Sequence, residues 1–331
     1  MAVNAAIFIL TQNTDVRKTY LKTSLYFLFK NFNAEHKYPV IIFHEGDFDD
    51  KSQTEIIMSV RGECRKCVTF RALDADDFKL PQHIDETKMK KCIATKITPY
   101  WRNEKYRMMC RWWIVNMPKY AEGYDYVMRI DDDSIIEEPI PNLFKWMDDK
   151  KLIYASNMLH VDCGMCCYGM KDFFLKLHPE KKNEIGQMFV DQEVPSRSVQ
   201  IHPFRALLSI TQDPLPDIGE KLKLSMPIMY YNNFFITKTD FWKRPEIKKD
   251  IEEIDKNASI FYFRWGDAPL QSILVMLHAQ EGEVSRSIFK YSKRMQREAF
   301  FGDDGQYHTY CPDSYDKSSC ITETPQYQNL E

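Results

Sequence analysis

Residues 124–139, YDYVMRIDDDSIIEEP, carry an apolar strand straight into three aspartates, with two glutamates close behind. Tyr126, Met128 and Ile130 alternate with Asp125, Val127 and Arg129, the period of a strand packed on both faces. Like charges at the end of a buried strand repel unless something positive sits among them. A divalent cation is the simplest source of that charge. The C-terminal ends of strands are also where open α/β sheets hold ligands.

Upstream, Ala5–Leu10 reads as a strand, and Thr14 or Asp15 caps a helix from Val16 to Phe32 with Leu21, Leu25, Leu28 and Phe32 on one face. Val40–Phe43 is a second buried strand, 51–61 a helix and Val68–Arg71 a third strand. This alternation predicts a parallel sheet. Residues 103–117 read as a helix ended by Pro118. Downstream, Leu152–Ser156 is a strand. Prolines 195, 203, 214, 216 and 227 predict loops over 195–227. YNNFFITKTDFW gives a strand and a helix start. WGDAPLQSILVMLH gives a helix with Asp267 as N-cap. The fold class is α/β, with one domain over 1–310: a nucleotide-binding part to about 135, an acceptor and catalytic part beyond it, and an irregular tail at 311–331.

The 331 residues are 44% hydrophobic and 14% aromatic, enough for a large core. Net charge is −3 with no basic stripe, which argues against nucleic acid as a partner. No run reaches the ~18 apolar residues of a membrane span. The first residues lack the pattern of a signal peptide. The expected location is the cytosol, or the Golgi lumen if an anchor has been removed. Nine cysteines, an odd number, argue against a full disulfide framework, although a Cys311–Cys320 bridge stays open. CRKC and CGMCC fit no zinc spacing.

Several motifs fail. There is no GxGxxG, and GMCCYGMK misplaces the P-loop lysine. DDDSIIEEP lacks the glycine and spacing of an EF-hand. For the three aspartates three readings stay open. Asp131 and Asp133 can flank Mg²⁺ or Mn²⁺ that clamps a diphosphate, the D-x-D device of nucleotide-sugar glycosyltransferases. Alternatively Asp131 is the nucleophile of a haloacid-dehalogenase-like phosphatase with a later acidic pair in FFGDDG. The third reading is an acidic surface turn.

YRMMCRWW, YDYVMRIDDD, NNFFITKTDFW and FYFRWGDAPLQSI occur in that order. Together they resemble the fungal Kre2/Mnt1-type α-1,2-mannosyltransferases, glycosyltransferase family 15, whose motifs resemble Y-R-x-M-C-R-F, Y-Y-W-R-V-E-P-x, S-N-F-E-I and R-W-G-D-A-P. The resemblance implies a GT-A-like (Rossmann-like), mostly parallel sheet flanked by helices. It also implies GDP-mannose as donor, a glycan or glycoprotein acceptor, Mn²⁺ (or Mg²⁺), and retention at the anomeric carbon. An inactive carbohydrate-binding relative is the remaining alternative. By the resemblance, Asp131 and Asp133 are metal ligands, Tyr106 meets the nucleotide diphosphate and Asp267 is catalytic. A G-Y-R-H histidine falls on His308 of GQYH, after an insertion of about 14 residues. Asn13 matches a family asparagine. Gln12 beside it, and Arg107 with Arg111, are further donor-binding candidates, and His44, Glu45 and Asp47 leave the second strand at the same edge. Trp265 is the best aromatic platform for a sugar. The glutamate of S-N-F-E-I is Phe235 here, so no double displacement runs through that position. Asp240, Asp191 or Glu193 would have to replace it, or a front-side substitution dispenses with it. A family cysteine upstream is Ile228 here, which leaves Cys110 without that partner.

Overall fold

The computed structural model describes residues 3–198, 200–216, 219–293, 298–301 and 307–310, the last two segments as backbone only. In chain order the strands are β1 Ala5–Leu10, β2 Val40–His44, β3 Val68–Ala72, β4 Tyr126–Ile130, β5 Ser134–Ile136, β6 Tyr154–Ser156, β7 Leu159–Val161, β8 Phe189–Pro195, β9 Lys221–Tyr230, β10 Phe234–Lys238, β11 Val284–Arg286, β12 Tyr291–Lys293, β13 Glu298–Phe301 and β14 Tyr307–Tyr310. Seven form one sheet in the order β11-β6-β10-β4-β1-β2-β3. Its pairs are parallel except those made by β10, which runs antiparallel between β4 and β6.

The alternation read from the sequence sets the two faces. Ile7, Ile9, Tyr126 and Met128 pack with Leu21 and Leu25 of the helix Asp15–Leu28. Ala6, Phe8 and Val127 pack on the other face with Phe43, Trp112 and Trp113. Sheets covered on both sides need such near-continuous apolar strands. From β1 the chain winds outward through β2 to β3, then returns to lay β4 on the other side of β1. The β1–β4 crevice is therefore the point where the winding reverses, the place where such sheets bind ligands.

Two local expectations fail for identifiable reasons. The helix Glu104–Arg111 does not stop before Pro118 but continues through a wide turn, Trp112–Asn116, into Met117–Tyr120. The wide turn starts a fresh helical segment at Met117, so Pro118 falls in its first turn, where a missing N–H removes no intrahelical bond. Residues 195–227 hold a helix, Ile201–Thr211, and the ten-residue β9. Pro203 sits in that helix's first turn, and Ile201, Phe204, Leu207 and Leu208 bury one face, which outweighs the proline signal. β9 lies between β7 and β8 in a separate three-stranded sheet.

Farther from the crevice, His178 and His278 each hydrogen-bond through Nε2 to Asp250 Oδ2 at 2.7 Å, which ties together three helical segments. Among the described residues, Cys64, Cys67, Cys92, Cys110, Cys163, Cys166 and Cys167 are free thiols. Cys311, Cys320 and the expected tail lie outside the described residues. Among those described, no helix is long and apolar enough to cross a membrane.

Candidate functional site

The three aspartates sit at the mouth of the β1–β4 crevice. Thr11, just past β1, donates its hydroxyl to Asp132 Oδ2 at 2.6 Å and so bridges the two strand ends. The Ser134 N–H donates to the Asp131 carbonyl at 3.1 Å, folding DDDS into a tight turn. That turn leads into β5, which pairs with β12 and places Lys293 opposite Ser134.

The charge that relieves the repulsion comes from the protein itself. Arg17, in the first turn of the helix after β1, donates to Asp132 Oδ1 at 2.7 Å and lies 3.7 Å from Asp133. Lys293 Nζ lies 3.1 Å from Asp131 Oδ2 and 3.8 Å from Asp133 Oδ1. Arg129 donates through Nε to Asp131 Oδ1 at 2.9 Å and through Nη1 to Asp267 Oδ2 at 2.5 Å. Its guanidinium also lies 4.1 Å from the ring centroid of Trp113. Asn232 completes the Asp267 cradle, donating at 2.8 Å. Four carboxylates thus face three cations.

The titration behaviour follows from that arrangement. Burial favours the neutral form of Asp131, Asp132 and Asp133. At Asp131, Arg129 and Lys293 outweigh burial and hold the carboxyl below its ordinary range. At Asp132 burial prevails, helped by Asp133 and Asp131 and opposed by Arg17, and the carboxyl is pushed up to about 7. Asp133 is also raised, again by burial first. Its Oδ1 is buried without a hydrogen-bond partner.

Around this centre the strand ends gather several of the expected residues. Gln12 Nε2 donates to Glu45 Oε1 at 3.4 Å, and Lys105 pairs with Glu45 at 2.9 Å. Asn13 donates to Asp47 through both its backbone N–H and its side-chain amide, each at 2.7 Å. His44 is buried and accepts from the backbone of Gly46 and Phe48. Burial lowers its pKa despite the nearby Asp47, which makes it a neutral brace for its own loop. Tyr106 lies two residues inside the helix capped by Asn103. Burial raises its phenol well above the ordinary range, and Arg264, Asp267 and Asp162 are close enough to act on it.

Other expectations are corrected. Arg107 is fully buried and donates to the carbonyls of Phe261 and Trp101, so it braces the core and does not face phosphate. Arg111 is occupied by a two-pronged pair with Asp255 at 2.7 and 2.8 Å. Asp240 is exposed, pairs with Lys243 at 3.1 Å, and follows the end of β10 that lies beside Tyr126. Because β10 is antiparallel to β4, that is the opposite edge of the sheet from Asp131. Asp191 and Glu193 lie exposed on β8. Asp267 is the first helical residue, not the N-cap, which is Gly266; its carboxylate turns inward to Arg129. Trp265 is 1% exposed and donates to the Tyr168 carbonyl, so it is core and not a sugar platform. The preceding Arg264 holds a φ of 65° and grips Asp162 at 2.8 and 3.0 Å, a strained backbone pinned beside the site. Phe235 is buried, stacked on Tyr154 with centroids 5.4 Å apart. His308 belongs to β14, and its side chain lies outside the described residues.

The sequence reading missed Arg17 and Lys293, and it placed Thr11 only at the exit of the first strand, with Gln12 and Asn13, not as a partner of Asp132. Lys293 sits on the three-residue β12, and only its register on β5 brings it to Asp131. Tyr291 anchors the strand through its hydroxyl, 2.6 Å from Ser134 Oγ and 2.9 Å from the Asn233 carbonyl.

With this geometry in place, comparison with known proteins is informative. The family model "Glycolipid 2-alpha-mannosyltransferase" matches residues 1–291. The O-glycoside α-1,2-mannosyltransferase omh1 of Schizosaccharomyces pombe is 26% identical over 337 residues, covering 96% of this chain and 73% of that protein. The glycolipid 2-α-mannosyltransferase of Saccharomyces cerevisiae is 24% identical over 328 residues, covering 93% of this chain and 63% of that protein. The chain thus spans about two-thirds to three-quarters of the length of these relatives. Among solved structures, the mannosyltransferase Ktr4p of S. cerevisiae in complex with GDP aligns with a TM-score of 0.70 at 18% identity, over 95% of this chain and 74% of that one. Core-mannan synthase A of Aspergillus fumigatus in its Mn/GDP form aligns at 0.68 and 18% identity, over 88% of this chain and 75% of that one. The structural likeness fixes the fold as GT-A-like. By the extent of the family match, the chain belongs to the glycolipid 2-α-mannosyltransferase family, glycosyltransferase family 15.

Proposed function

We propose that this chain is a retaining mannosyltransferase that moves mannose from GDP-mannose to a hydroxyl of a glycan, forming an α-1,2 linkage. The observation that carries this reading is the convergence of Asp131, Asp132, Asp133 and Asp267 with Arg17 and Lys293 at the winding reversal, in a chain of this family. Relatives named α-1,2-mannosyltransferases, and similar structures holding GDP and manganese, support the donor and the metal.

The donor set suits a hard divalent cation. Asp131 and Asp133 offer carboxylate oxygens, one of them, Asp133 Oδ1, without a hydrogen-bond partner. Asp131 and Asp133 would hold Mn²⁺, which when bound supplies positive charge to the leaving diphosphate. Thr11, Gln12, Asn13 and Glu45 line the edge where base and ribose would lie. Arg17, with its side chain 41% exposed, can turn from Asp132 toward phosphate. Arg129 and Asn232 fix the Asp267 carboxylate in one orientation at the acceptor side.

Phe235 offers no group that could form a covalent sugar intermediate. The acceptor hydroxyl therefore attacks the anomeric carbon from the face that the diphosphate leaves. The new C–O bond forms as the sugar–phosphate bond breaks, and the hydroxyl proton passes to the departing phosphate oxygen. GDP-mannose is α-configured, so an α-linked product means retention. A phosphatase would need a free Asp131 nucleophile, whereas both Asp131 oxygens are engaged.

Incubation with GDP-mannose and an α-mannoside acceptor, with the product linkage read by NMR, tests the proposal. An α-1,2-linked product is expected; GDP-mannose consumed only by hydrolysis, or transfer from another nucleotide sugar in preference, would overturn it.

A further inference from the structure

We propose that Lys293 is a tethered cation that shares the divalent-ion position between Asp131 and Asp133, competes with Mn²⁺ for it, and sustains binding of a nucleoside diphosphate when no divalent ion is present. This rests on the donor reading above. Three observations carry it.

The first is position. Lys293 Nζ lies 3.1 Å from Asp131 Oδ2 and 3.8 Å from Asp133 Oδ1, on the two aspartates that would hold the metal. A metal bound to both at ~2.0–2.6 Å takes those lone pairs and repels a nearby ammonium, so metal and lysine exclude each other there. The second is delivery. Lys293 comes from β12, held in register opposite Ser134, the residue immediately after Asp133, and locked by the buried Tyr291 hydroxyl. The ammonium is therefore built into the fold on a paired strand. The third is its surroundings. The Lys293 side chain is 26% exposed, low for a lysine, and its Nζ is 5.8 Å from the centroid of the Tyr231 ring. It keeps one open side at the mouth of the crevice, where Arg17 supplies a second cation. Two positive groups that both reach Asp133 suit a diphosphate.

The test is calorimetric titration of the full chain with GDP, in EDTA and in Mn²⁺, together with Mn²⁺ binding alone followed by the paramagnetic resonance of the free ion. In the unaltered protein, removing Mn²⁺ should weaken GDP by less than about tenfold. Lys293→Met should weaken GDP in EDTA by a hundredfold or more, recover it in Mn²⁺, and bind Mn²⁺ alone at least tenfold more tightly. Lys293→Arg, which keeps the charge, should retain GDP binding in EDTA and serves if the methionine variant does not fold. A hundredfold loss of GDP binding by the unaltered protein in EDTA would overturn the proposal, as would unchanged Mn²⁺ affinity in Lys293→Met. No GDP binding under any condition would overturn the donor reading; the Mn²⁺ titration needs no nucleotide and still decides whether Lys293 holds the ion's place.

Discussion

Replacing Arg129 by methionine isolates the charge that joins the two halves of the site. Methionine keeps an apolar stem against Trp113 and removes both hydrogen-bonded ends. Arg129 is 4% exposed and Asp267 is as well buried, whereas the Asp131 side chain is 20% exposed. At an effective dielectric of about 20, the 2.9 Å contact with Asp131 alone is worth roughly 6 kcal/mol of attraction. Desolvation and relaxation offset much of it, and breaking a buried pair from one side costs about 3–5 kcal/mol net. For a chain of this length that lowers the melting midpoint by roughly 4–7 °C. The pH dependence identifies the cause. In the unaltered protein Asp131 titrates below its unfolded value, so its contribution is present above about pH 4 and lost as pH falls through the folded pKa. Without Arg129, burial at Asp131 is opposed only by Lys293, so the variant's deficit is largest at neutral pH and shrinks as pH drops toward 5. Thermal unfolding of both proteins from pH 5 to 8 measures this. A deficit under 1 kcal/mol, or one that does not change with pH, would refute the reasoning.

Asp132→Asn should raise stability above pH 7 and leave it unchanged near pH 4, because a carboxyl pushed up to about 7 by burial makes the folded state lose stability as pH rises between the unfolded and folded values; denaturant midpoints at the two pH values check it. Asp240→Ala should leave mannosyl transfer within twofold. Asp267→Asn, which keeps the shape of the group but weakens its hold on Arg129, should lower kcat by about a hundredfold or more with KM little changed, read by initial rates. Phe235→Glu should not restore a nucleophile. A carboxylate buried against Tyr154 and Trp113 costs several kcal/mol, so loss of soluble folded protein is the expected result, checked by circular dichroism.

The parallel half of the sheet was legible because β1, β2 and β4 are apolar runs with helical patterns between them, and burial on both faces demands such runs. The acidic strand end was legible as a site for the same reason: charge at that place in a buried strand needs an explanation. What filled the need was not legible. Arg17 is one polar residue in the first turn of an amphipathic helix, and Lys293 lies in a three-residue strand whose partner is more than 150 residues away. Only the register of β12 on β5 brings it to Asp131. Asp240 failed as a candidate because its place depends on the direction of β10, which a single strand pattern does not encode. Arg107 failed because helical spacing from Arg111 says nothing about which face meets the core.

The shared guanidinium of Arg129 also shapes how this chain can change over generations. On the proposed reading Asp131 belongs to the donor side and Asp267 to the acceptor side, and both pair with the one guanidinium between them. Losing any one of the three strands a charge in a buried setting, so single replacements there are costly and a change in one calls for a matching change in another. Gln12, Asn13 and Glu45, set at the strand edges and less deeply enclosed, carry no such debt. A change at that rim is therefore expected to cost the fold less than one at the centre.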